Sequence, residues 1–540
     1  PGTVSFIIRL LFNADKNLTG GYMKSRLSIF IAAFVVLLAL YVWVHIAEPE
    51  PPAAPPPSRV EQPQAMVPSP LPTIVLRKFT KSEAGKLSDA DRERLNATLL
   101  IPEVPDDPYL AAEQRRLIND YLNAGSRNAE WDQQVVKALV TGSRLGRWNY
   151  ELQHRDFYNA CKEAIDKGCN DPLVFYFYLR MYSTVRYDTR SAQLQASFFP
   201  VLDDLLARDY SAYTKFTACC RAAQYAAEFG STPELKKRHK NFIEQAYELL
   251  PKTLEEKTVP LDESFELMCE FWINEDVKIS GDRKASMLKL YPILEKADKA
   301  FALAIKGKTL VQYAWDARGT GFASTVSSQN FKLFGQRLYE ARAALEESWE
   351  LDPKKIFAPR QMVTVAMGLS LDRKEMETWF KRSIAADPND ADVYGAKFTY
   401  LQPRWHGSVE DVVAFGQECI KAFEDNPTAQ PMQPEMYVYA LENLASDFVR
   451  AKRGRAEDFF SKPEIWRDVK RVYELLLKRF PKSTRIRTRY ALHAASALQY
   501  KLAKDQIDAL GEEIDIGVFG NETGLRQFLS CVEWELKKKK

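Results

Sequence analysis

Two helical faces that end alike, 35 residues apart, constrain this chain more than any other feature. From Leu338, the residues Ala341, Leu345, Ser348 and Trp349 follow at helical spacing and stop at Leu351-Asp352-Pro353. Met376, Trp379, Phe380, Ser383 and Ile384 then repeat an i, i+3, i+4, i+7, i+8 pattern and stop at Ala386-Asp387-Pro388. That spacing is one face of an α-helix. A helix pair of this length cannot bury its own apolar faces, so it must stack on neighbours, and a proline after each second helix enforces the turn. Two further units follow with insertions. Val412, Gly416, Cys419, Ile420 and Phe423 end at Asn426-Pro427, and Trp466, Val469, Tyr473, Leu476 and Phe480 end at Pro481.

The same unit recurs upstream in altered form. Ala160-Cys161-Lys162-Glu163-Ala164-Ile165 through Cys169-Asn170-Asp171 aligns with Trp379-Phe380-Lys381-Arg382-Ser383-Ile384 through Pro388-Asn389-Asp390. An aromatic-rich helix follows in both, Phe175 to Tyr178 in one and Tyr394 to Tyr400 in the other, and Cys169 stands where the second unit has its proline. Residues 190–330 read as further helices without a clean period. The fold expected is all-α.

The 35-residue spacing resembles the 34-residue period of tetratricopeptide repeats. Residues 335–425 look most like that family, and the wider chain is similar to membrane-anchored repeat proteins of bacterial envelopes. Tyr313-Ala314-Trp315-Asp316-Ala317-Arg318-Gly319 and Gln402-Pro403-Arg404-Trp405-His406-Gly407 are the two phrases that carry the wider likeness. The resemblance implies a TPR-like α-solenoid of helical hairpins that binds a protein or peptide partner in its groove. Mapping the repeat pattern onto Pro388 implies that Gln361 and Val365 face the groove from one first helix. Asp392 and Thr399 follow on the next, with Arg404 and His406 at the rim.

Leu27 to Ile46 contains twenty residues without a charge. At about 1.5 Å per residue such a helix spans about 30 Å, the thickness of a bilayer's hydrocarbon core. Tyr41 and Trp43 near one end suit the membrane interface. The stretch is longer than a cleaved signal's core, and Val44-His45-Ile46-Ala47 lacks small residues at both cleavage positions, so the reading is an uncleaved signal anchor. Lys24 and Arg26 precede it and Glu48 and Glu50 follow, which puts the N-terminus in the cytoplasm and the large domain outside it. Met23-Lys24-Ser25-Arg26 reads as the natural start of such an anchor, with residues 1–22 as an upstream extension of the reading frame. Beyond the anchor, ten prolines in residues 48–72 favour extended polyproline II and a semi-rigid stalk. The organisation expected is a cytoplasmic segment 1–26, a transmembrane helix 27–47, and a stalk and extended linker 48–104. An N-terminal helical region 105–334 and a TPR-like region 335–540 complete it.

Basic and acidic residues nearly cancel, 75 against 72, so there is no electrostatic case for a nucleic-acid partner. The seven cysteines show no CxxC or zinc-site spacing. They read as small buried hydrophobes, with Cys161 and Cys169 the one pair that a helix end and turn could bring together as a disulfide. None of His154, His239, His406 and His493 lies in a metal-ligand or nucleophile motif, and Arg318-Gly319-Thr320-Gly321 lacks the lysine of a phosphate loop and reads as a helix end and turn. The basic run Lys236 to Lys240 reads as a solvated helix face and Lys537 to Lys540 as a frayed terminus. No catalytic residue, cofactor or metal is expected. The function expected is a membrane-tethered scaffold outside the cytoplasm. An envelope enzyme on a helical scaffold, or a self-assembling structural spacer, are the alternatives.

Overall fold

The computed structural model describes residues 88–144, 154–186, 192–319, 321 and 323–538. The expected cytoplasmic segment, the Leu27–Ile46 helix and the stalk up to residue 87 lie outside the described residues. Among the described residues there are no strands, and no helix is long and apolar enough to cross a membrane.

The chain runs through α1 (Asp89–Ala97), α2 (Pro108–Ala124), α3 (Asp132–Ser143), α4 (His154–Asp166), α5 (Pro172–Arg186), α6 (Ala192–Ala207), α7 (Ala212–Phe229) and α8 (Pro233–Glu256). Next come α9 (Phe265–Glu270), α10 (Val277–Ser280), α11 (Arg283–Ala297), α12 (Lys299–Arg318), α13 (Ser328–Leu351), α14 (Phe357–Gly368), α15 (Arg373–Ala386) and α16 (Ala391–Tyr400). The last are α17 (Val409–Asp425), α18 (Met432–Arg450), α19 (Ala456–Phe460), α20 (Pro463–Arg479), α21 (Thr484–Ser496), α22 (Tyr500–Leu510) and α23 (Glu522–Lys538).

Sequence neighbours pack as hairpins: α4 on α5, α7 on α8, α12 on α13, α14 on α15, α17 on α18 and α21 on α22. Alternate helices also touch, so α12, α14, α16, α18 and α20 form one lateral series. A second series runs beside it, where Trp349 of α13 meets Trp379 of α15 and Phe380 of α15 meets Phe415 of α17. Two layers of helices in which each packs mainly on near neighbours make a helical repeat array. Most of the sequence-predicted faces are buried: Leu338, Ala341, Leu345, Met376, Trp379, Phe380, Val412, Cys419, Phe423, Val469, Tyr473 and Leu476 lie in the core, and Trp349, Ile384, Ile420, Trp466 and Phe480 pack half-buried against it.

The unit ends share one local geometry. The Asp352 and Asp387 backbone amides close α13 and α15 by donating to Ser348 and Ser383, and their carboxylates accept from the amides of Lys354 and Asn389. Asn426 does the same after α17, donating to Ala422 and accepting from Thr428. An Asx side chain that bonds two residues on stabilises a turn and, with the following proline, stops the helix. The upstream alignment holds as well. Asp171 and Asp390 are both buried, cap α5 and α16, and lie near an arginine, Arg208 in one case and Arg360 in the other.

The expected extended linker contains α1. Ser88 caps it by accepting from the Asp91 amide, and Leu95 is its one buried apolar side chain. With so little apolar periodicity, the sequence offers no helical face there to read.

Candidate functional site

The site is built on α14 and α16, adjacent members of the lateral series, and on the loop that leaves α16. Arg360 is the single charge in the otherwise uncharged helix Phe357–Gly368. Its buried guanidinium donates through Nε to Asp390 at 2.8 Å and through Nη1 to Asp392 at 3.0 Å, and also pairs with Glu266 of α9. Burial opposes its charge, yet the three carboxylates together raise its pKa above the ordinary arginine value. Burial likewise pushes the Asp390 carboxyl upward, against the pull of Arg360. The network ties the start of α16 to α14 and α9.

A second buried cation orients α16. Lys397 lies over the rings of Phe380 and Phe415, at 4.3 and 4.6 Å, and its ammonium donates to Glu377 at 2.9 Å. With Lys397 turned toward α15 and α17, the residues Asp392, Gly395 and Thr399 share a different helix face. Asp392 is exposed, Gly395 and Thr399 are half-buried, and a Cβ built on Gly395 meets nothing within 4 Å. This face opens onto free space.

At the end of α16 the chain turns sharply. The His406 amide donates to Tyr400 and the Trp405 amide to Gln402. Gly407 is required by this turn, since a Cβ there would sit 2.2 Å from the Leu401 carbonyl oxygen. The His406 ring packs on Tyr400, and its Nε2 lies 2.8 Å from the Met367 carbonyl at the end of α14, so Nε2–H donates. Trp405 meets Trp315 of α12 edge-on with ring centroids 5.7 Å apart, and the Arg318 guanidinium lies 5.2 and 5.3 Å from the two rings. Thus the two phrases 313–319 and 402–407 come together at one corner. Arg404 is exposed, both tryptophans are half-buried, and neither Arg318 nor Arg404 has a carboxylate partner among the described residues.

Of the six sequence-predicted groove positions, Asp392 and Thr399 lie on this face of α16, and Arg404 and His406 lie in the turn after it; of these four, all but the half-buried Thr399 are exposed. Gln361 and Val365 are not: they are 4% and 0% exposed, and so present no surface to a partner. The reason is that α14 is enclosed by α12, α13, α15 and α16, and its Phe357 stacks on Phe265 of α9 at 3.9 Å. Besides Gly368, Thr364 is the one residue of that helix that is not buried.

Cys161 and Cys169 are both buried free thiols rather than a disulfide, and burial pushes both pKa values up. They pack as small apolar side chains. His239 Nε2 lies 3.1 Å from Glu275 and His493 Nε2 lies 3.1 Å from Glu442, both within hydrogen-bond distance, and among the described residues no group of His, Cys, Asp and Glu could hold a metal ion. The Lys236 to Lys240 run is split: Lys236, Lys237 and Lys240 face solvent while His239 turns inward. Sequence reading missed Arg360, although a lone charge in an apolar helix was its signal. It also missed the contact between Trp315 and Trp405, for which no local signal exists. No protein-family model matches the chain, and no curated protein matches it.

Proposed function

We propose that this chain is a membrane-tethered scaffold, anchored by Leu27–Ile46, whose TPR-like array binds a protein or peptide partner outside the cytoplasm. The partner lies along the α16 face at Asp392, Gly395 and Thr399 and ends at the corner of Trp315, Arg318, Arg404 and Trp405. That corner carries the reading: half-exposed tryptophans beside arginines without carboxylate partners among the described residues are the residue types that dominate binding energy at interfaces. Open space over Gly395 leaves room for a partner's backbone to approach the helix.

The test is partner capture by the intact protein in its native membrane, with Gly395→Leu and Arg404→Glu beside the wild type. Gly395→Leu fills the open space, and Arg404→Glu reverses an exposed charge, so neither disturbs the core. Both should lose the partner without unfolding at a lower temperature than the wild type, and Gly395→Leu should unfold slightly higher. A partner retained by both variants contradicts the proposal.

A further inference from the structure

A cavity of about 580 Å³ lies between α2, the end of α8, the loop 257–264, and the junction of α11 with α12. That volume is within the range of small-molecule sites. It shares no residue with the α16 face, so a ligand bound here is independent of the scaffold reading.

Four ionised side chains line it: Arg115, Arg116, Lys257 and Asp298. Two are already engaged. Arg116 is buried against Glu113 and Asp120, lies over the Tyr213 ring, and donates to Thr214. Asp298 accepts from Lys355 at 2.9 Å and from the Phe301 amide at the start of α12. Arg115 and Lys257 are exposed and have no carboxylate partner among the described residues. The cavity therefore carries two unneutralised cations at its opening. Its apolar wall comes from Leu254, Val259 and Leu261.

One local feature suits an anion. Lys257 ends α8 in the left-handed region, at φ 47° and ψ 32°, where α10 uses Gly281. A side chain is disfavoured in that conformation, and here it sets a cation at the cavity mouth.

We infer that this cavity binds a small amphipathic anion, with its acidic head group held by Arg115 and Lys257 and its apolar body against Leu254, Val259 and Leu261. The experiment is isothermal titration of the full-length protein with 4-phenylbutyrate and with 4-phenylbutanol, which keeps the apolar body and removes the charge. The acid should saturate one site per chain, and the alcohol should bind at least about tenfold more weakly. The double variant Arg115→Gln/Lys257→Gln, both changes on exposed side chains, should weaken the acid by at least about tenfold. Lys257→Gly relieves the left-handed backbone, so it should unfold at the same temperature or higher and yet bind the acid more weakly. A merely structural role for Lys257 would not divide those two readouts. No saturable binding of the acid at millimolar concentration, equal affinity for the alcohol, or wild-type affinity in the double variant would each overturn the inference.

Discussion

One substitution, glycine to alanine, should change stability in opposite directions at two helices of this array. In α17, a Cβ on Gly416 would lie 2.7 Å from the Tyr437 Cα of α18, 3.0 Å from its Cδ2 and 3.1 Å from its Cβ. Carbon atoms pack best at about 3.5–4.0 Å, so the two helices must part by about 1 Å at that crossing. Overpacking of this kind costs about 1–3 kcal/mol. The upper half of that range applies, because the obstacle is backbone and cannot rotate away. Alanine recovers about 1 kcal/mol of helix propensity, which leaves Gly416→Ala less stable by about 1–2 kcal/mol. At Gly395 of α16 and Gly335 of α13 nothing lies within 4 Å of the added carbon. There the propensity gain is unopposed, and alanine should stabilise by about 0.5–1 kcal/mol. Repeat arrays lose two-state cooperativity as they lengthen, so the assay is native-state hydrogen exchange, which reads each helix separately. Protection should fall in α17 and α18 for Gly416→Ala and rise in α16 for Gly395→Ala. A neutral or stabilising Gly416→Ala would refute the close crossing. A destabilising Gly395→Ala would show that the α16 face is packed rather than open.

Removing Arg360 should be costly. Arg360→Met leaves Asp390 buried without its cation and should lower stability by about 3–5 kcal/mol, while Arg360→Met/Asp390→Ser keeps a capping side chain and should recover most of it, as hydrogen exchange in α14 and α16 would measure. Burial alone would raise the Glu442 pKa, but the His493 hydrogen bond and the Arg489 charge hold it below its ordinary 4.5. The stabilisation is present above pH 4.5 and is lost as pH falls through the depressed folded value. Glu442→Gln should therefore lose about 1 kcal/mol at pH 7, and the gap between its urea midpoint and the wild type's should shrink as pH falls below 4.5. Among the described cysteines, Cys531 is exposed while the other six are buried. A thiol reagent should label Cys531 at once and the others only on unfolding; rapid native labelling of Cys161 or Cys169 would contradict their burial.

The repeat was legible where helix faces and stop signals are local. Leu338 to Ser348 and Met376 to Ser383 bury the side chains that their spacing singles out, as do Val412, Cys419 and Phe423 in α17, and Asp352, Asp387 and Asn426 make the turns that their following prolines suggest. Even the disguised unit at Ala160–Asp171 was readable, because Asp171 keeps the buried capping role of Asp390. Which of the six named side chains reach the surface was only partly legible. Periodicity tells which face of α14 packs on its own hairpin, but Phe265 and Glu266 close its other side from about ninety residues upstream. That contact has no imprint on local spacing, so Gln361 and Val365 look accessible in sequence and are buried in the fold. Trp315 and Trp405 were each conspicuous, yet their meeting depends on α12 and α16 both flanking α14. The short helix at Asp89 escaped because it buries a single leucine.

The most direct test of the proposed scaffold is site-specific photocrosslinking of the intact protein in living cells, with a benzophenone side chain at Thr399, Arg404 or Lys381. Thr399 and Arg404 border the proposed partner surface, whereas Lys381 is exposed on α15, in the other helix layer. A scaffold that binds along α16 should crosslink from Thr399 and Arg404 to the same protein, and not from Lys381. Crosslinks at Lys381 alone, or none at Thr399 and Arg404, would contradict it.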